Sequence, residues 1–286
     1  MGPSSSAAGL GLLSAATWGG SDFAGGMGAR RAPALLVVAS GHIFSLFVLL
    51  VICRVMQVAL PGSTQLFYAG LGGFEGSLAL AIFYRALAMG AMGLTAALTG
   101  LLTALVPVLF SLTHEGLPTP LSAIGLVMGL AAIWLITHTP AAKGDTPNRA
   151  STPRLALLLG ALAGVGFGSQ LILFKMASLG GILWAMTSAR AAGVVALLIV
   201  LAVMPPKAPW RGFWFVGIVA GALDTLGNLF YIQASRVGRL DVAALVCSLY
   251  PAGTILLAAL VLRERPTRRQ LTGIALALAA VGLLSV

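Results

Sequence analysis

Charge is what this sequence has least of. Only 8% of its 286 residues are Asp, Glu, Lys or Arg, and just seven are acidic. A water-soluble domain covers itself with about 25% charged residues, so a soluble globular fold is excluded. Cysteine is nearly absent too. Cys53 and Cys247 stand alone in apolar runs with no CxxC, which argues against a disulfide framework or a thiolate metal site. The three histidines, His42, His114 and His138, form no HExxH, and neither a GxSxG nor a Walker A sequence occurs. An intramembrane enzyme and an ATP-driven pump therefore find no support, and neither a metal nor another cofactor is expected. No basic face interleaves with aromatics, so no nucleic acid is expected either. The N-terminus has no basic stretch before its first apolar run and reads as a retained helix, not a cleaved signal.

What is present is apolar and small. Hydrophobic residues make up 59%, glycine contributes 36, and the mean hydropathy is +1.01. A membrane-spanning helix needs about 20 apolar residues. Ten candidates fit, at about 8–27, 34–56, 66–90, 92–113, 119–138, 154–177, 182–204, 211–236, 239–262 and 267–286. The breaks between them carry turn or polar residues, such as LPGST at 60–64 and HEGLPTP at 114–120. The longest polar stretch, 140–153, reads as a linker between two domains at 1–139 and 154–286.

The two halves repeat each other. Phe83-Tyr84 recurs as Phe230-Tyr231, and Ala96-Ala97-Leu98 as Ala243-Ala244-Leu245, both at an offset of 147. Gly125 and Gly273, Ser40 and Ser188, and His42 and Arg190 pair at 148. A register held over a whole half indicates internal duplication. Five helices per half is an odd number, so the second unit enters the membrane in the opposite sense. The expected fold is thus an all-α membrane protein, ten transmembrane helices arranged as two inverted five-helix repeats.

Each half also resembles the EamA-type unit of the drug/metabolite transporter superfamily. In the second half the resemblance rests on Tyr231, Ala234, Ala243, Leu245 and Pro251, then Glu264, Arg265 and Thr267, and Gly273. In the first half it rests on Tyr84, Ala86, Ala97 and Pro107, then Glu115 and Thr119, and Gly125. Pro107 is not at the repeat-equivalent of Pro251, and the first loop lacks the Arg. The resemblance implies a multi-pass protein of the plasma (inner) membrane. Its core would be helices one to four and six to nine around a central cavity, with helices five and ten outside. It also implies a secondary transporter that exports small metabolites such as amino acids. Relatives in the superfamily carry drugs or lipid-linked sugars, which keeps hydrophobic cations and lipid-linked substrates as alternatives.

Basic residues set the expected orientation. Loops after odd-numbered candidates hold Arg30, Arg31, Lys143, Arg149, Arg154, Lys207, Arg211, Arg263, Arg265, Arg268 and Arg269, whereas those after even-numbered ones hold Arg54, Lys175, Arg236 and Arg239. The positive-inside rule puts the odd loops in the cytoplasm.

A charge at a helix centre costs about 2.5–3.5 kcal/mol on insertion scales, so each one marks a candidate site. Asp224, Asn228, Tyr231 and Ser235 fall on one helical face, a polar stripe that either lines a cavity or forms a seam between helices. Glu75 lies within two positions of the repeat-equivalent of Asp224. A carboxylate of helix three or eight is expected to pair with Arg190 or His42. A carboxylate buried in lipid exchanges a proton near neutral pH, which would couple export to the proton gradient. Ser14, Thr17 and Ser21 share one face of helix one, with Trp18 and Asp22 beside it; Ser169 and Gln170 lie at equivalent depth on helix six. These divide between packing and lining. The substrate-lining set is therefore Trp18, Ser21, Asp22, His42, Glu75, Gln170, Arg190, Asp224, Asn228 and Tyr231. For export of hydrophobic cations an acidic, aromatic cavity without a basic clamp is expected, and Arg190 and His42 weigh against it. Arg85 and Lys175 lie near helix ends and are expected to snorkel to the headgroups. His114 and Glu115 are expected to be solvated loop residues.

Overall fold

The computed structural model describes residues 3–29, 32–88, 92–137, 153–206, 214–263 and 265–285. The weak break near position 91, most of the linker, Glu264 and several basic loop residues (Arg30, Arg31, Lys143, Arg149, Lys207 and Arg211) lie outside them. Every element of more than three residues among the described ones is an α-helix: α1 (Pro3–Ala29), α2 (Ala34–Val55), α3 (Ser63–Ala88), α4 (Met92–His114), α5 (Pro120–Thr137), α6 (Pro153–Ala177), α7 (Ile182–Val203), α8 (Trp214–Val237), α9 (Leu240–Cys247), α10 (Tyr250–Val261) and α11 (Arg268–Leu284). Eight segments are long and apolar enough to cross a membrane, counting Leu240–Val261 as one. Their lipid-facing sides carry large exposed apolar residues, such as Phe47, Phe67, Leu158 and Phe215.

The ninth candidate differs from expectation. A single helix over 239–262 is predicted, but the chain breaks at Ser248–Leu249 into α9 and α10. The cause is Pro251, in the first turn of α10. Proline has no N–H to donate, and within a continuous helix its ring would meet the carbonyl of Cys247. The turn is closed by tighter bonds instead, Leu249 N–H to Val246 O at 3.2 Å and Ala252 N–H to Leu249 O at 2.9 Å. Pro107 lies inside α4 without ending it. α11 starts on a capping box, with the Thr267 hydroxyl accepting from Gln270 N–H and Gln270 Oε1 accepting from Thr267 N–H.

Helices of the first half pack mainly on helices of the second. α1 and α2 lie on α8, α3 on α6 and α7, α4 on α6 and α9, and α5 on α11. Glycine makes these approaches possible. A Cβ on Gly221 would overlap the backbone of Gly41, and one on Gly73 that of Ala189. Gly160, Gly164 and Gly168 fit α6 against Thr95, Thr99, Leu102 and Val106 of α4. Between α5 and α11, Gly125 faces Leu284 and Gly273 faces Ile136. These glycines thus all lie in helix contacts between the two halves. Hydroxyls add bonds across the same seams: Ser14 to Gly227 O at 2.9 Å, Ser21 to Ala220 O at 2.8 Å and Ser45 to Gly221 O at 3.0 Å.

Gly221→Val should therefore force α2 and α8 apart at their closest point. We expect a loss of about 1–3 kcal/mol, read as a lower thermal unfolding midpoint in detergent than that of Gly20→Ala, where the added methyl meets only the end of Leu223.

Candidate functional site

The helices enclose a cavity of about 470 Å³. Its wall comes from the second half of α1, the first half of α2, the middle of α3, Thr103 of α4, the second half of α6, and the first parts of α7 and α8. The α9–α10 break adds Tyr250. No residue of α5 or α11 lines it.

The polar centre joins three helices. Arg190 on α7 forms a charge-assisted hydrogen bond to the Asp224 carboxylate on α8 and donates to Thr225 Oγ1 at 3.1 Å. His42 Nε2 on α2 lies 3.9 Å from the same carboxylate. The Arg190 side chain is 6% exposed and that of Asp224 33%, so the carboxylate is the member open to the cavity. Asn228 turns its amide back to the Asp224 carbonyl at 2.7 Å. Asp22 on α1 is exposed and lines the same cavity. It has no hydrogen bond or ion pair among the described residues.

Eight of the ten predicted residues line this wall: Trp18, Ser21, Asp22, His42, Gln170, Arg190, Asp224 and Asn228. Two do not. Tyr231 is fully buried behind the wall, its hydroxyl donating to Leu171 O at 2.7 Å and its ring stacked on Trp18 at 6.1 Å and 26°. The polar stripe of α8 thus leaves the cavity after Asn228 and continues as a packed seam. Glu75 lies between α3 and α6, where the Ser169 hydroxyl donates to its carboxylate. The position of α3 that faces the cavity is Gly76, and the Gln170 amide occupies the space a side chain would take there. Sequence offsets within two residues cannot resolve this, because one residue is a 100° turn on a helix. Sequence reasoning also missed Phe83, Phe174 and Tyr250 in the wall. Tyr250 had a signal, since it directly precedes the helix-breaking Pro251.

A second charged group lies where the ends of α4, α6 and α8 meet the start of α9. Lys175 Nζ at the end of α6 lies 3.2 Å from Glu115 Oε1 after α4, and donates to Ser235 O and to Gly238 O, the latter at 3.1 Å. Glu115 Oε2 accepts from Ser111 Oγ at 2.8 Å and from Leu240 N–H at 2.7 Å. Arg239 forks onto the fully buried Asp241, with Nη2 to Oδ2 at 2.7 Å, and donates to the carbonyls of Glu115 and Gly116. Lys175 therefore does not snorkel and Glu115 is not a solvated loop residue. Each finds its partner because the ends of α4, α6 and α8 and the start of α9 converge. Burial alone would raise the Glu115 carboxyl. The Leu240 N–H, the Ser111 hydroxyl and the Lys175 ammonium overcome it and hold the group below the usual carboxylate range. Arg85 stands exposed near the end of α3.

Among the described residues, eight apolar helical segments long enough to cross a membrane, with a polar, partly aromatic cavity between them, define a multi-pass integral membrane protein. Residues 154–286 match the EamA-like transporter family. That stretch, just under half of the chain, is an EamA-like unit of the drug/metabolite transporter superfamily. No curated protein sequence matches the chain. A solved crystal structure, described only as that of a protein, shares the fold over 98% of both chains, with a TM-score of 0.79 at 18% identity.

Asp224→Asn should leave the Arg190 guanidinium without its anion. Allowing for the open side of Asp224, we expect destabilisation of about 2–3 kcal/mol. Arg190→Gln combined with Asp224→Asn should recover part of it, measured as a double-mutant cycle on thermal unfolding in detergent.

Proposed function

We propose that the chain is a secondary active transporter of the plasma (inner) membrane, exporting small amine-bearing metabolites such as amino acids by alternating access, with protons as the coupling ion. The observation that carries this reading is the cavity itself. It holds two carboxylates, Asp22 and Asp224, on helices that are otherwise largely apolar, where a charge without a role is costly. Its lining residues on α1 and α2 run toward the α1–α2 connection, while the opposite end is tied shut by the Lys175–Glu115 and Arg239–Asp241 group. A site open to one face and closed to the other is one state of an alternating cycle. The charge distribution favours the cytoplasm as the open face.

The inverted-repeat reading draws support from reciprocal packing. α1 on α8 is answered by α6 on α3, and Gly125 on α11 by Gly273 on α5. The smooth small-residue contacts between halves suit a rocking motion. Proton coupling would use Asp224, which faces Arg190 of α7, His42 of α2 and Thr225 of its own helix, together with Asp22 across the cavity.

The first test is uptake of labelled amino acids and of labelled phenethylamine into proteoliposomes under an imposed pH gradient. Wild type should show gradient-dependent flux, and Asp224→Asn should lower it at least about tenfold. Flux indifferent to pH and to both Asp22→Asn and Asp224→Asn would make this a facilitator with structural carboxylates.

The closed end generates its own prediction. With Cys53 and Cys247 replaced, a cysteine at Thr103 in the cavity wall should react slowly with a membrane-impermeant thiol reagent added from the Glu115 face. Lys175→Met should speed that reaction several-fold. Acid should do the same. A carboxyl held low in the closed state stabilises closure above the ordinary carboxylate pKa and loses that contribution as pH falls through its own.

A further inference from the structure

The basic clamp that a substrate carboxylate would need is already in use. Arg190 is spent on Asp224 and Thr225, and its side chain is almost wholly buried. His42 Nε2 also points at Asp224. Asp22 is different. It stands exposed in the same cavity wall and has neither a hydrogen bond nor an ion pair among the described residues. The Arg190 and Asp224 charges cancel, so Asp22 is the carboxyl group of the described wall that has no basic partner.

The rest of the wall near it is apolar and aromatic. Trp18 is held in place by Tyr231 stacked on it and by Tyr250 edge-on at 6.1 Å and 87°. Phe167 and Phe83 meet at 6.3 Å on the side built from α3 and α6. In such a low-dielectric space an isolated charge is costly, and a ligand of opposite charge relieves it. An ammonium does so, and aromatic faces add to its attraction. A second, anionic group on the same ligand would meet no free cation among the described lining residues.

We infer that the cavity selects organic amine cations that lack a free carboxylate, with Asp22 as the ammonium site and the Trp18, Phe83 and Phe167 surfaces taking an apolar body. This rests on the transporter reading and narrows its substrates from amino acids to amines without the acid. It also reverses the weight that Arg190 and His42 carry in the sequence, where they look like a free clamp for an acid.

The test is calorimetric titration of the purified full chain in detergent with phenethylamine, phenylalaninamide and phenylalanine. These three share one ring and one amine and differ in the carboxyl position. Phenethylamine and phenylalaninamide should bind at least about ten times more tightly than phenylalanine. Asp22→Asn should weaken amine binding by about ten- to a hundred-fold, and Asp22→Glu should retain most of it. The inference is overturned by phenylalanine binding as tightly as phenethylamine, by amine affinity indifferent to Asp22→Asn, or by monodisperse protein that binds none of the three. Failure of the transporter reading looks different: Asp22-dependent amine binding with no gradient-driven flux in proteoliposomes.

Discussion

A charge cannot stand alone in lipid, and the ion pair between Arg190 and Asp224 is where this protein meets that constraint. Each residue by itself would cost about 2.5–3.5 kcal/mol to insert. Together they neutralise one another, provided α7 and α8 are held at a distance that lets a guanidinium reach a carboxylate. That requirement fixes much else. α2 must come close enough for His42 to share the carboxylate, which is possible because Gly41 and Gly221 put two backbones in contact. α3 must come close to α7, which Gly73 allows against Ala189. The glycines are thus the geometric condition for the pair as much as packing devices.

The second charged group, at the far end, follows the same rule with a different outcome. Glu115, Lys175, Arg239 and Asp241 lie at helix termini, where partners from α4, α6, α8 and α9 converge and where loose backbone carbonyls accept the surplus donors. Its charges find their partners within the group and on those carbonyls. The central pair leaves Asp22 unsatisfied, whereas this group leaves no such member. Unbalanced charge in the middle and balanced charge at one end is the electrostatic arrangement an alternating-access protein would need.

Much of the architecture was legible. Scarce charge and apolar runs of helix length announced the membrane helices, because lipid admits only chains whose backbone polar groups bond within the segment. The constant offset between halves told that Gly125 and Gly273 occupy like positions, and both do face a partner helix. His42, Arg190 and Asp224 could be suspected of pairing because so few charges were available to choose from. Glu75 misled for a definite reason. Its offset from Asp224 is nearly right in sequence, yet one residue of error turns a side chain by 100°, from the cavity to the seam with α6. Lys175 and Glu115 misled because helix-end charges usually reach the headgroups, and nothing local says that two such ends meet.

What the sequence determined by itself is the class of environment and the length and number of most apolar segments, since these follow from composition and from local rules such as the proline that divides α9 from α10. Only the tertiary structure decided which charges cancel and which remains open. That outcome depends on distances between residues as far apart in the chain as Asp22 and Asp224. Such distances are set by how closely helices pack, and packing is a property of all the helices at once.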